Sequence, residues 1–82
     1  MLIAMGNIIQ LNATANGIGV NVDSAAGVVV SNNVLTAGVA SDQPVVIGSV
    51  SGVAVSCVTG PNPRLGTWGA SVTNSCTVIA PN

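Results

Sequence analysis

Ile8-Ile9-Gln10-Leu11-Asn12-Ala13-Thr14-Ala15-Asn16-Gly17-Ile18-Gly19-Val20-Asn21-Val22-Asp23 is the stretch on which the fold class turns. In an extended chain Ile9, Leu11, Ala13 and Ala15 share one face, and Gln10, Asn12, Thr14 and Asn16 the other. After Gly17, Ile18, Val20 and Val22 alternate with Gly19, Asn21 and Asp23. Successive side chains of a strand point to opposite sides, so a period of two reads as two strands, each with one apolar face. Asn16-Gly17 between them is the pair that best tolerates the positive φ of a type I′ turn. The expectation is a hairpin.

Outward from this stretch, glycine recurs at Gly17, Gly27, Gly38 and Gly48 with short Val-rich or Ile-rich runs between. That rhythm predicts an all-β fold, a small antiparallel β-sandwich or barrel with short strands and Gly/Asn turns. Val28, Val29 and Val30 follow a turn that begins at Asp23, and Val34, Leu35 and Thr36 form the next run. Pro44 has no N–H to give to a ladder and starts a strand at Val45. Val53, Val55 and Cys57 alternate with Ala54 and Ser56 as another strand. Residues 59–66, with Pro61 and Pro63, read as a loop. From Thr67 onward Trp68, Ala70, Val72, Asn74, Cys76 and Val78 are expected to face inward together. Residues 37–41 are too short and too rich in small side chains to nucleate a helix. The glycine spacing would also suit a β-solenoid, but the runs are too unlike one another for a recognisable repeat. No linker interrupts the chain, so residues 1–82 are expected as a single domain, with residues 1–6 as an extended arm.

Composition narrows the function. Of 82 residues, 49% are hydrophobic, 4% charged and 1% aromatic, with no His, one Arg and two acids. Acid–base and nucleophilic catalysis need a titrating group beside a reactive one; with Asp23, Asp42 and Arg64 as the whole charged inventory, no enzyme is expected. A net charge of −1 offers no electrostatic footprint for phosphate, so no nucleic-acid partner is expected. Mean hydropathy of +0.73 with so little charge favours association, and partners are the expected cover for apolar surface.

Met1-Leu2-Ile3-Ala4-Met5 is apolar, but it lacks a basic start and is too short for a signal peptide. Synthesis in a cytoplasm is expected. Residues 44–61 are uncharged, yet their glycines and serines among β-branched residues read as strands, not as a membrane span.

Cys57 and Cys76 suggest a disulfide, although a simple hairpin around Asn62 would set Cys57 near Trp68. A bridge then requires a bend near Thr73-Asn74-Ser75 or a link between sheets; the alternative is two buried thiols acting as small hydrophobes. Without His, two thiols do not complete a zinc site. Asp23 and Asp42 are read as turn residues bonding their own backbone. The Gly-x-Gly of Gly17 and Gly19 lacks a third glycine and a following helix, so no dinucleotide site is read there, and no cofactor, metal or small-molecule substrate is expected. Arg64, the lone cation, on a stiff loop beside Trp68, is a candidate interface pair.

Gly38-Val39-Ala40-Ser41-Asp42-Gln43-Pro44-Val45-Val46 resembles the Ala-Ser-Asp-Gln-Pro-Val stretch that recurs in tail, fibre and other virion proteins of tailed bacteriophages. The resemblance covers about nine residues and carries no catalytic or binding residue with it. It implies a β-rich structural component of a phage particle, made in the host cytoplasm and released with the virion. The small size suits a capsid decoration or cement protein contacting its own copies and the major capsid protein, with no membrane partner. The competing expectation is a subunit of an extracellular filament or surface coat built by strand addition. A carbohydrate-binding module using Trp68 is a third reading, weakened by the single ring.

Overall fold

The computed structural model describes residues 1–12, 14–50, 57–74 and 76–82. Among them are ten strands and no helix: β1 (Leu2–Met5), β2 (Ile8–Gln10), β3 (Ile18–Ala25), β4 (Val28–Ser31), β5 (Val34–Thr36), β6 (Gln43–Val50), β7 (Cys57–Thr59), β8 (Arg64–Leu65), β9 (Val72–Thr73) and β10 (Thr77–Val78). The strand expected at Val53 and Val55 falls outside the described residues.

Each strand pairs with the strand three further along the chain. The sheets run β1-β4-β7-β10, β2-β5-β8 and β3-β6-β9, and every pairing is parallel. The chain therefore winds as a three-sided parallel β-solenoid. Its first coil carries β1–β3, its second β4–β6 and its third β7–β9, while β10 opens a fourth. Strands lie in the plane of each coil. An eight-residue strand such as β3 spans roughly 26 Å, which places the longest dimension of the molecule, 38 Å against 20 and 17 Å, in that plane.

The all-β expectation holds, and the antiparallel sandwich or barrel does not. The first hairpin is also corrected: β2 pairs with β5 and β3 with β6, not with each other. Asn16 does take a positive φ of 54°, but at a corner whose bonds run to the next coil, Asn16 N–H to Ser41 Oγ at 3.1 Å and Gly17 N–H to Asp42 Oδ1 at 2.8 Å. Alternation says which face is apolar, and a strand of a solenoid satisfies it as well as a strand of a hairpin.

The core is a set of columns of like residues at matching register. Leu2, Val28 and Cys57 form one, and Ala4, Val30 and Thr59 the next. Ile9 lies against Leu35, Val20 against Val45 and Val22 against Ile47. Val28, Val30, Leu35, Val45 and Ile47 of the second coil are fully buried, because that coil alone is covered from above and below. Close stacking sets local demands. A side chain on Gly19 would bring its Cβ to 2.6 Å from the Pro44 carbonyl oxygen, and Gly60, at φ +92°, leaves no room for one beneath the Ile79 carbonyl.

One corner is held by an asparagine ladder. Asn7 and Asn33 lie 26 residues apart, and Asn7 donates to Asn33 Oδ1 from its backbone N–H at 3.1 Å and its Nδ2 at 2.9 Å. Asn33 repeats both bonds to Asn62 Oδ1, 29 residues on, at 3.2 and 2.9 Å. The remaining amide protons go to main-chain oxygens, Asn33 Nδ2 to Ala4 and Asn62 Nδ2 to Val30. Asn33 and Asn62 are fully buried, and paired amides are what makes polar side chains tolerable there.

Two later segments also differ from expectation. Residues 59–66 contain β8, which pairs with β5. Beyond Thr67 there is no common inward face: Trp68 and Cys76 are half-buried, whereas Ala70, Val72, Asn74 and Val78 are exposed. Strands of two residues turn too often to sustain one alternation. Leu2–Met5, expected within an extended arm, lies paired along β4.

Candidate functional site

Residues 38–46, the segment that carries the virion resemblance, form a corner of the second coil followed by the start of β6. Asp42 N–H donates to the Val39 carbonyl at 3.1 Å to close the turn. The Asp42 carboxylate then accepts three amides, Gly17 at Oδ1 (2.8 Å) and Gly38 and Val39 at Oδ2 (2.7 and 2.9 Å), while its carbonyl accepts Gly69 N–H at 2.7 Å. This one residue ties together three coils. The Val39 amide does most to hold the carboxyl below its ordinary value of 3.8; burial opposes it, and the amides of Gly17 and Gly38 reinforce it. A depressed native pKa means that the charged form is favoured by folding. The contribution is present above the unfolded value and is lost as pH falls through the lower native one. Acid titration should therefore destabilise the wild type below about pH 4, and the same loss should be largely missing in Asp42→Asn, read from thermal melts between pH 7 and pH 2.

Asp23, expected in a turn, lies instead within β3 and is exposed. The two carboxylates do not converge, and no group of three or more His, Cys, Asp or Glu that could hold a metal occurs among the described residues. No helix there is long and apolar enough to cross a membrane.

The structure brings Arg64 and Trp68 together. With Gly66 and Pro81 they line an open hollow of about 260 Å³, beside a second of about 340 Å³ formed by residues 37–40, Gly66 and Thr67. Arg64 is the third-coil register partner of the buried Leu35, so a cation takes its place where the core column meets the end of the stack. Trp68 packs against the core and donates its indole N–H to the Leu65 carbonyl at 3.0 Å. Its hydrogen-bonding capacity is spent within the chain, which leaves the ring as apolar surface.

Cys57 and Cys76 are bonded, their Cα atoms 4.5 Å apart. Thr77 pairs with Val58, so the two cysteines are equivalent positions on successive coils, brought together by the turn at Asn74. Neither a bent hairpin nor a link between sheets makes the bridge: β7 and β10 stack in parallel within one sheet. Thr59 Oγ1 donates to Asn82 Oδ1 nearby.

The most extensive feature is at the ends of the stack. Each of β1, β2 and β3 is the outer strand of its sheet, as β10, β8 and β9 are at the other end. Large apolar side chains are exposed at Met1, Leu2, Ile3, Met5 and Ile8 on the first coil and at Leu65, Val72, Val78 and Ile79 on the last ones. The second coil has none among the described residues. Sequence reading missed this distribution, along with the Asn7, Asn33 and Asn62 ladder; the available signal was a recurrence of Asn at intervals of 26 and 29 residues. The site and fold define a parallel β-solenoid whose outermost coils have unpaired strand edges and carry exposed apolar side chains. Comparison with protein-family models, curated proteins and solved structures finds no match.

Proposed function

We propose that the chain is a non-enzymatic structural virion protein, a capsid decoration or cement subunit that holds to its own copies and to the major capsid or other virion proteins. The observation that carries this reading is that, among the described residues, the exposed large apolar side chains lie on the first and last coils. Such surface, on a chain with one Arg and two acids, is suited to permanent cover. The Ala40-Ser41-Asp42-Gln43-Pro44-Val45 segment adds the virion, and with it synthesis in the host cytoplasm and release within the particle. The role needs no cofactor, nucleic acid, membrane or small-molecule substrate. A second reading, a subunit of an extracellular filament or coat, is favoured by the free strand edge of β3, eight residues long, because an unpaired edge is a template for strand addition.

Fractionation of the producing lysate, with the chain followed by peptide mass spectrometry, tests the choice. The proposal expects the chain to sediment with icosahedral heads and to remain there after tails are removed. Recovery in filaments or on the cell surface would replace it with the second reading.

A further inference from the structure

We infer that the partner of the exposed ends is a second copy of this chain, stacked head to tail so that the first coil of one copy covers the last coils of the next. The inference rests on the structural-subunit reading, but not on its assignment to a virion.

Three observations point the same way. The first is where apolar surface lies. Ile8 is 85% and Ile3 63% exposed on the outward side of the first coil, and Leu65 60% on that of the third; their register partners in the covered second coil, Val34, Val29 and Thr36, are only partly exposed, so a coil stacked on either end buries part of each. An assembly joining two like ends would leave the opposite pair uncovered.

The second is charge. Of the three charged side chains, Asp42 is consumed by its own corner. Asp23 is exposed on the first coil and Arg64 on the third. Stacking unlike ends puts one carboxylate and one guanidinium at each interface, which leaves it without net charge from these side chains. Joining like ends would oppose two carboxylates or two cations, and juxtaposed like charges disfavour an interface.

The third is area. With the 38 Å axis in the plane of the coil, the end face measures 38 by 17–20 Å. That is roughly 700 Å² per copy, or about 1,400 Å² for the pair, inside the range of specific protein–protein interfaces.

A contact between two different surfaces leaves one of each free on the resulting dimer, so it propagates unless the rotation closes a ring. This property supplies the test. Ile8→Lys and Leu65→Lys each place a charge on one end at an exposed position, and sedimentation is measured for the 82-residue wild type, for each variant and for their equimolar mixture. The wild type is expected to form multiples of its 7.9 kDa mass that grow with concentration. Each variant alone should be a monomer. The mixture should give a dimer and nothing larger, because the intact last coils of Ile8→Lys meet the intact first coil of Leu65→Lys. Recovery of association on mixing also proves that both variants are folded. A wild type that stays monomeric at about 100 μM overturns the inference. So does a Leu65→Lys variant that dimerises alone while Ile8→Lys does not, which would mean like ends meeting. Stacking with no virion association would retire the virion assignment alone.

Discussion

Asn33→Ala is expected to be the most damaging single substitution in the chain, costing about 3 kcal/mol of stability. The Asn33 side chain makes four hydrogen bonds, accepting from the backbone N–H and Nδ2 of Asn7 and donating to the Ala4 carbonyl and Asn62 Oδ1. Truncation of this fully buried side chain takes the acceptor from Asn7, the donor from the Ala4 carbonyl and one of two donors from Asn62 Oδ1. Each orphaned buried group costs about 1–3 kcal/mol, and a cavity adds to it. Asn33→Asp separates the two halves of the ladder, since it keeps the acceptor for Asn7 and loses the donor to Asn62; its loss should be smaller near pH 3 than at pH 7, where a buried carboxylate is charged. Equilibrium denaturation of the variants provides the measurement. An alanine variant within about 1 kcal/mol of wild type would show that the ladder is not what holds the corner.

Reduction of the Cys57–Cys76 bond is the second large effect expected. The bond spans 19 residues, and closing a loop of that size in the unfolded chain is worth about 3 kcal/mol in the chain-entropy model. For a domain of this size the corresponding fall in melting temperature is roughly 12–24 °C. The loss should appear first at the end of the stack, where β10 is attached to β7 by a two-residue pairing and the bridge anchors the residue just before it. Thermal melts with and without reductant, or of the Cys57→Ser/Cys76→Ser double variant, measure it. Intact-mass analysis of freshly isolated protein should find no alkylatable thiol before reduction and two after it. Two reactive thiols at the outset would return the pair to the role of core filler.

Some of this architecture was legible in the chain. The strands at Val28 and Val34 and the strand following Asp42 lie close to where β-branched runs and turn residues placed them. Asp42 is a turn residue, as its neighbours Ser41 and Pro44 suggested. The cysteine pair was also within reach, though not the parallel stacking of β7 and β10 that brings the two together. Arg64 and Trp68 were singled out by rarity and by their nearness on one loop, and they line one hollow. What remained hidden was the solenoid. Its repeat is one of shape, with Val28-Val29-Val30 in one coil answered by Leu2-Ile3-Ala4 and Cys57-Val58-Thr59 in the others, and side-chain identity varies too freely along each column to announce it.

The amino-acid sequence by itself determined that this chain would be extended, which side of each strand would be apolar, where it would turn, and how little charge it could bring to any encounter. Those properties follow from period-two alternation, from Gly, Asn and Pro backbone preferences, and from composition, all of which are local. Tertiary structure alone decided which strands pair. Asn16-Gly17 can close a hairpin or round a solenoid corner with the same dihedral at Asn16. The choice between them is made by partners 25 or more residues away, the Ser41 hydroxyl and the Asp42 carboxylate that receive the corner's amides. The same long-range stacking turns Asn33 and Asn62, indistinguishable in sequence from surface turn residues, into a buried ladder. It also leaves apolar side chains bare at the two ends, because a coil is covered only when another lies on each side of it.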